Sequence, residues 1–127
     1  MRSSSGGLAD RDRMRYGSGM TTTPARSEAQ LEKLLHDGVR RLGGISVKMA
    51  PTMAGVPDRM VLWPGGRIDL VELKTERGSV RRIQEVQHHR FAKLGTYVQL
   101  VRGESGVRRY LAAASQQINQ PQAAVSA

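Results

Sequence analysis

A chain of 127 residues with a formal charge of +9 and a pI of about 11.0 has room for one compact domain, and its charge suits a polyanionic partner, nucleic acid before an acidic membrane. The absence of cysteine excludes a disulfide framework and cysteine-ligated zinc, and an aromatic content of 4% argues against a surface of stacked aromatics of the kind that grips single strands. No apolar run approaches the roughly 20 residues that span a bilayer, and the Ser-, Gly- and Arg-rich start lacks the apolar segment of a secretory leader, so an intracellular protein is expected.

Residues 1–26 carry five arginines against Asp10 and Asp12, with few large apolar side chains, and read as a flexible basic arm in which Met20 offers an alternative start. Residues 27–111 hold nearly all the periodic hydrophobicity and are expected to fold, and residues 112–127 read as a flexible Ala/Gln-rich tail. Within the folded part, Ser27 is placed to cap a helix to about Leu42, with Leu31, Leu34, Leu35, Val39 and Leu42 on one stripe and Gly43-Gly44 as the stop. Ile45 to Ala50 reads as a strand and Pro51 to Pro57 as a loop. Arg59 to Trp63 and Arg67 to Lys74 read as two strands joined at Pro64-Gly65-Gly66. Ser79 is placed to cap a second helix to about Leu94, with Val80, Ile83, Gln87, Phe91 and Leu94 on one face. Tyr97 to Arg102 reads as a fourth strand, and Glu104 to about Ala114 as a last helix. The order α-β-β-β-α-β-α predicts an α/β layer with a mixed sheet of about four strands flanked by helices.

Acidic residues are scarce, so their positions are informative. Glu72 sits inside the otherwise apolar strand Ile68-Asp69-Leu70-Val71-Glu72-Leu73-Lys74, where an unpartnered carboxylate is costly. Alternation points Glu72 and Lys74 to one face, with the Leu73 carbonyl between them. Asp58 begins the preceding strand. A three-residue loop with Trp63 opposite Arg67 puts Asp58 directly across from Glu72, and Pro64 and Gly66 suit a type I turn followed by a bulge. A two-residue loop would separate the two acids, so the odd-length loop is the expectation. Two carboxylates that close repel unless a cation lies between them, and oxygen ligands suit Mg²⁺ or Mn²⁺. A neighbouring lysine supplies positive charge to a phosphodiester transition state. Together these point to metal-dependent nucleic-acid hydrolysis.

These features resemble the VRR-Nuc (virus-type replication-repair nuclease) branch of the PD-(D/E)xK superfamily, with its restriction-endonuclease-like core. The likeness rests on G-V-P-D (Gly55 to Asp58), E-L-K (Glu72 to Lys74) and R-R-I-Q (Arg81 to Gln84) with His88 one turn later. It extends to the upstream L-E-K-L-L (Leu31 to Leu35) followed by Gly43-Gly44, and covers about residues 28–111. The resemblance implies metal ligands at Asp58, Glu72, the Leu73 carbonyl and Glu32, with Glu32 favoured over Glu28. It implies that Lys74 activates or orients water and that Gln84 supports the site or touches the phosphate. Arg81, Arg82 and His88 are the implied DNA-backbone contacts, and Lys48 and Arg59 are further candidates. It also implies DNA as substrate, branched forms such as four-way (Holliday) junctions among them, a homodimer, and a bacterial or phage-infected host cytoplasm. The rival readings are a nicking, flap or restriction-like nuclease, and an inactive nuclease-fold module that only binds DNA.

The simpler readings of the same residues are a turn aspartate after Pro57, a solvated strand pair and a surface helical acid. His88 and His89 point about 100° apart on a helix and are poorly placed to chelate one ion. The basic pairs Arg40-Arg41, Arg81-Arg82 and Arg108-Arg109 favour sequence-blind contact with a phosphate backbone. No helix has the pattern of a helix-turn-helix reader.

Overall fold

The computed structural model describes residues 24–50 and 52–120. Most of the expected N-terminal arm, Pro51, and residues 121–127 of the expected tail lie outside the described part. The elements run α1 (Glu28–Arg41), β1 (Ile45–Lys48), β2 (Arg59–Leu62), β3 (Ile68–Lys74), α2 (Arg82–Lys93), β4 (Val98–Arg102) and α3 (Gly103–Asn119), in the expected order.

Helix α1 starts where the sequence places it. The Ser27 hydroxyl accepts the Gln30 N–H at 3.3 Å, and the Gln30 side chain accepts the Ser27 N–H at 2.8 Å, which closes a capping box. At the other end Gly43 takes φ 88° and the Gly44 N–H reaches back to the Val39 carbonyl at 2.9 Å, a Schellman stop. Leu31, Leu35 and Val39 form the buried stripe of this helix.

The sheet order is β1-β2-β3-β4, antiparallel across the first three strands and parallel between β3 and β4. The β2-β3 loop has the expected odd length: the Trp63 N–H donates to the Arg67 carbonyl at 2.9 Å, and pairing runs from Leu62 with Ile68 to Arg59 with Val71. The turn is not the expected type I. Gly65 has φ 92° and Gly66 φ 95°, so the second central residue is left-handed and the turn is type II, which the glycine there permits.

One face of the sheet carries the core. Val61 and Trp63 of the hairpin, Val71 and Leu73 of β3, and Val101 of β4 pack against α1 and against Val107 and Ala114 of α3. A polar hub closes its far end. The Asp69 carboxylate accepts from Trp63 Nε1 at 3.0 Å, the Tyr110 hydroxyl at 2.6 Å and Arg67 Nη2 at 3.0 Å. Burial and the bond to Asp69 push the Tyr110 phenol well above its usual range.

Two helices differ from expectation. Helix α2 is capped at Arg81, two residues after the expected Ser79, because the Gln84 side chain accepts the Arg81 N–H at 3.0 Å. Its expected inner face holds only in part: Gln87 is buried and Val80 and Phe91 are half-buried, but Ile83 and Leu94 are exposed, and Gln84, from outside that face, is buried. Helix α3 runs five residues past the expected Ala114, to Asn119. Ala114 lies in the core and Ile118 packs against it, so the first part of the expected tail is a packed helix.

Candidate active site

Strand alternation that sends Val71 and Leu73 into the core sends Glu72 and Lys74 to the opposite face, under the first turns of α2. The site lies at the carboxyl end of β3, where the antiparallel hairpin meets the parallel pair, a usual place for ligand sites in open α/β sheets. Asp58 precedes β2 by one residue. It is fixed there by its backbone carbonyl, which accepts the Met49 N–H at 2.9 Å, and its side chain lies 3.4 Å from the Leu73 N–H. Asp58 and Glu72 therefore face one another across the two strands as the hairpin register requires.

Glu72 is the most constrained group. Its residue is 3% exposed. One carboxylate oxygen, Oε2, accepts from Gln84 Nε2 at 3.0 Å and stands 3.7 Å from Lys74 Nζ. The other, Oε1, is buried without a hydrogen-bond partner, and His88 Nε2, also buried and unpartnered, stands 3.9 Å away. Burial and the neighbouring Asp58 charge push the Glu72 carboxyl above its usual range, against the pull of Lys74 and Gln84. Burial does the same to Asp58, against the Leu73 N–H and Arg59. Burial and the Lys74 charge lower the His88 imidazole, so it is neutral at pH 7 and makes no ion pair with Glu72.

The cleft above these groups has a volume of about 790 Å³. Asp58, Glu72, Lys74 and Gln84 line it, with Lys48 and Arg81 adding positive charge. The loop after β1 forms one wall and is seated on α2. Gln87 Nε2 donates to the Ala54 carbonyl at 3.0 Å, and a side chain at Gly55 (φ 84°) would come within 2.5 Å of the Ile83 carbonyl. Gly55→Ala is therefore expected to cost about 1–3 kcal/mol and to lower the melting temperature. An unchanged thermal transition would show that the wall is not seated this way. On another side the Arg102 guanidinium binds the Thr75 and Gly78 carbonyls and holds the loop that follows Lys74.

Three expected site residues sit differently. Glu32 is engaged by Arg59, with 3.0 Å between Glu32 Oε1 and Arg59 Nη2, and it is Glu28, one turn earlier, that lines the cleft. Arg59 is 7% exposed and turned to the α1 side of the sheet, so it is not available as a DNA contact. His88 faces Glu72 inside the site and not the solvent-exposed backbone-contact surface. Arg82 is exposed on the first turn of α2. Gln87 was not anticipated as a site residue. Its spacing of three from Gln84 places both on one helical face, which was the available signal.

The donor chemistry fits a hard cation. Two carboxylates raised by burial, Glu72 further raised by the Asp58 charge, with one buried oxygen unpartnered, are relieved by a positive ion. Among the described residues no three His, Asp or Glu side chains gather closely enough to enclose an ion by themselves. The remaining positions would fall to backbone carbonyl and water.

No family model matches the chain. The protein named "Putative nuclease p44", from Acyrthosiphon pisum secondary endosymbiont phage 1, is 40% identical over 72 residues, 56% of this chain and 77% of that protein. A solved structure described as a VRR_NUC domain superposes with a TM-score of 0.61 at 30% identity, over 67% of this chain and 94% of the other. The four-stranded mixed sheet with flanking helices is thus the nuclease-like α/β fold of that domain. The chain belongs to the VRR-Nuc family of nucleases.

Proposed function

We propose that the protein is a Mg²⁺- or Mn²⁺-dependent endodeoxyribonuclease that cuts branched DNA, four-way junctions included, as a homodimer inside the cell. The observation that carries the reading is the opposition of Asp58 and Glu72 across the hairpin, with Glu72 Oε1 buried without a hydrogen-bond partner and Lys74 Nζ 3.7 Å from Oε2. Asp58, Glu72 and the Leu73 carbonyl would hold the ion, with Glu28 the nearest further acid from α1. A divalent ion in such a place polarises the phosphate and lowers the pKa of a water.

The chain's own groups do the rest. Gln84 fixes one oxygen of Glu72 and so leaves the other free for a ligand. Lys74, with its side chain 15% exposed, brings a positive charge to where negative charge develops on the phosphate, or orients the attacking water. Lys48 and Arg81 at the cleft, and Arg82 beside it, contact the DNA backbone without reading sequence. The described residues of each chain hold one such site, and paired cuts in a symmetric junction need two, which is the physical case for a two-fold dimer.

The test uses labelled four-way junction, flap and linear duplex with Mg²⁺, Mn²⁺ or EDTA, beside light scattering of the protein. We expect metal-dependent cleavage favouring the junction, a mass of about twice 13.9 kDa, and a rate about 10²-fold lower or more in Lys74→Ala. Cleavage that persists in EDTA would overturn the metal mechanism. Tight DNA binding with no cleavage under any condition would favour the inactive binding module.

A further inference from the structure

The cleft is lined by more than charge. Two of its residues are large apolar side chains held in water: Met53 is 51% exposed and Ile83 41% exposed. Both stand on elements in direct contact, since the loop bearing Met53 rests on the backbone of Ile83 through Gly55 and on α2 through Gln87. This wall is therefore preset, not a side chain on a loose segment. A phosphate backbone gains nothing from such groups. Lys48 and Arg81 line the cleft and are the groups suited to phosphate. What an exposed methionine and isoleucine beside them can bury is the flat face of a nucleobase.

Base faces are covered in intact duplex DNA by stacking on their neighbours. They become accessible where stacking is broken, at a branch point, a mismatch or a strand end. We infer that Met53 and Ile83 form an apolar shelf that packs against an unstacked base next to the scissile phosphate, and thereby select DNA with an interrupted helix. This inference rests on the nuclease reading above and names what in that site would recognise the substrate. Helix geometry makes the selection: the basic residues bind any DNA, but the shelf is filled only where a base is free to meet it.

The experiment places 2-aminopurine at the branch point of a four-way junction and, separately, in the middle of a linear duplex. Its fluorescence rises when the base loses its stacking neighbours, so it reports the base directly. Binding is measured with Ca²⁺ and cleavage with Mg²⁺, for the full chain and for Met53→Ser, Ile83→Ser and Leu94→Ser. The last is an exposed apolar residue at the far end of α2 and serves as a surface control.

We expect the unsubstituted protein to change the branch-point signal and leave the duplex signal alone. Met53→Ser and Ile83→Ser should lose that change and lower the ratio of junction to duplex cleavage about tenfold, with duplex cleavage preserved. Leu94→Ser should behave as the unsubstituted protein. If the two variants keep both the signal and the ratio, the shelf does not contact a base and the inference fails while the nuclease reading stands. A protein that cuts no DNA at all overturns the nuclease reading and this inference with it.

Discussion

Asp58→Asn is expected to lower DNA cleavage at least about 10³-fold and, in the same protein, to raise the melting temperature without metal. The two effects share one cause. Burial holds the ionised Asp58 carboxylate in an unfavourable place, and its charge in turn raises Glu72. A carboxyl whose pKa is raised by folding favours the folded state most at low pH, where it is protonated. That contribution is lost as the pH rises through the raised pKa. At pH 7 the folded protein therefore carries the full cost of both charges. Asparagine removes one of them, keeps an oxygen for the Leu73 N–H, and should add about 1 kcal/mol, a few degrees of melting temperature. The gain should vanish in acid, where aspartic acid is itself neutral. Added Mn²⁺ should stabilise the unsubstituted protein and leave the variant little changed. Melting curves at several pH values, with and without metal, check all of this. A variant less stable than the parent at pH 7 would show that the carboxylate is not strained.

Glu32→Ala is expected to destabilise the fold by about 3–5 kcal/mol, because it leaves the buried Arg59 charge without its partner. This is the outcome of a structural ion pair, not of a lost metal ligand. Replacing both partners, Glu32→Ala with Arg59→Met, should recover most of the loss, since no charge is then stranded. Chemical denaturation of the four proteins gives the coupling directly. If Glu32→Ala keeps full stability and loses only metal affinity, Glu32 is a ligand after all and the pair with Arg59 is incidental.

The sequence carried the fold well where a local rule acts alone. Ser27 with Gln30, and Gly43 with Gly44, fix both ends of α1 by backbone chemistry that needs no tertiary partner. The odd-length hairpin loop followed from Pro64-Gly65-Gly66, and with it the opposition of Asp58 and Glu72. The turn type is not legible in the sequence because glycine at position 65 can take either sign of φ. Helix α2 departs from its periodicity for a different reason. Gln87 lies on the expected inner face, but the groups the helix has to meet are the Glu72 carboxylate and the Ala54 carbonyl, so Gln84 is drawn inside as well while Ile83 and Leu94 stay exposed. Glu28 and Glu32 lie one turn apart on the same face and could not be separated by periodicity. The buried Arg59 decided between them, and its burial depends on packing across the sheet that no short motif records.

The polar inner side of α2 has a consequence for motion. Helices α1 and α3 are fastened by the apolar core, while the buried residues of α2 are two glutamines, and both are tied to the site: Gln84 to Glu72, Gln87 to the wall loop. No residue of α2 belongs to the apolar core, and its half-buried apolar groups are Phe91 and Ala92, so detaching it costs less hydrophobic burial than detaching α1 or α3. The bonds that would have to break are those that shape the cleft. Opening the helix and dismantling the site are thus one event, and whatever binds in the cleft latches the helix shut.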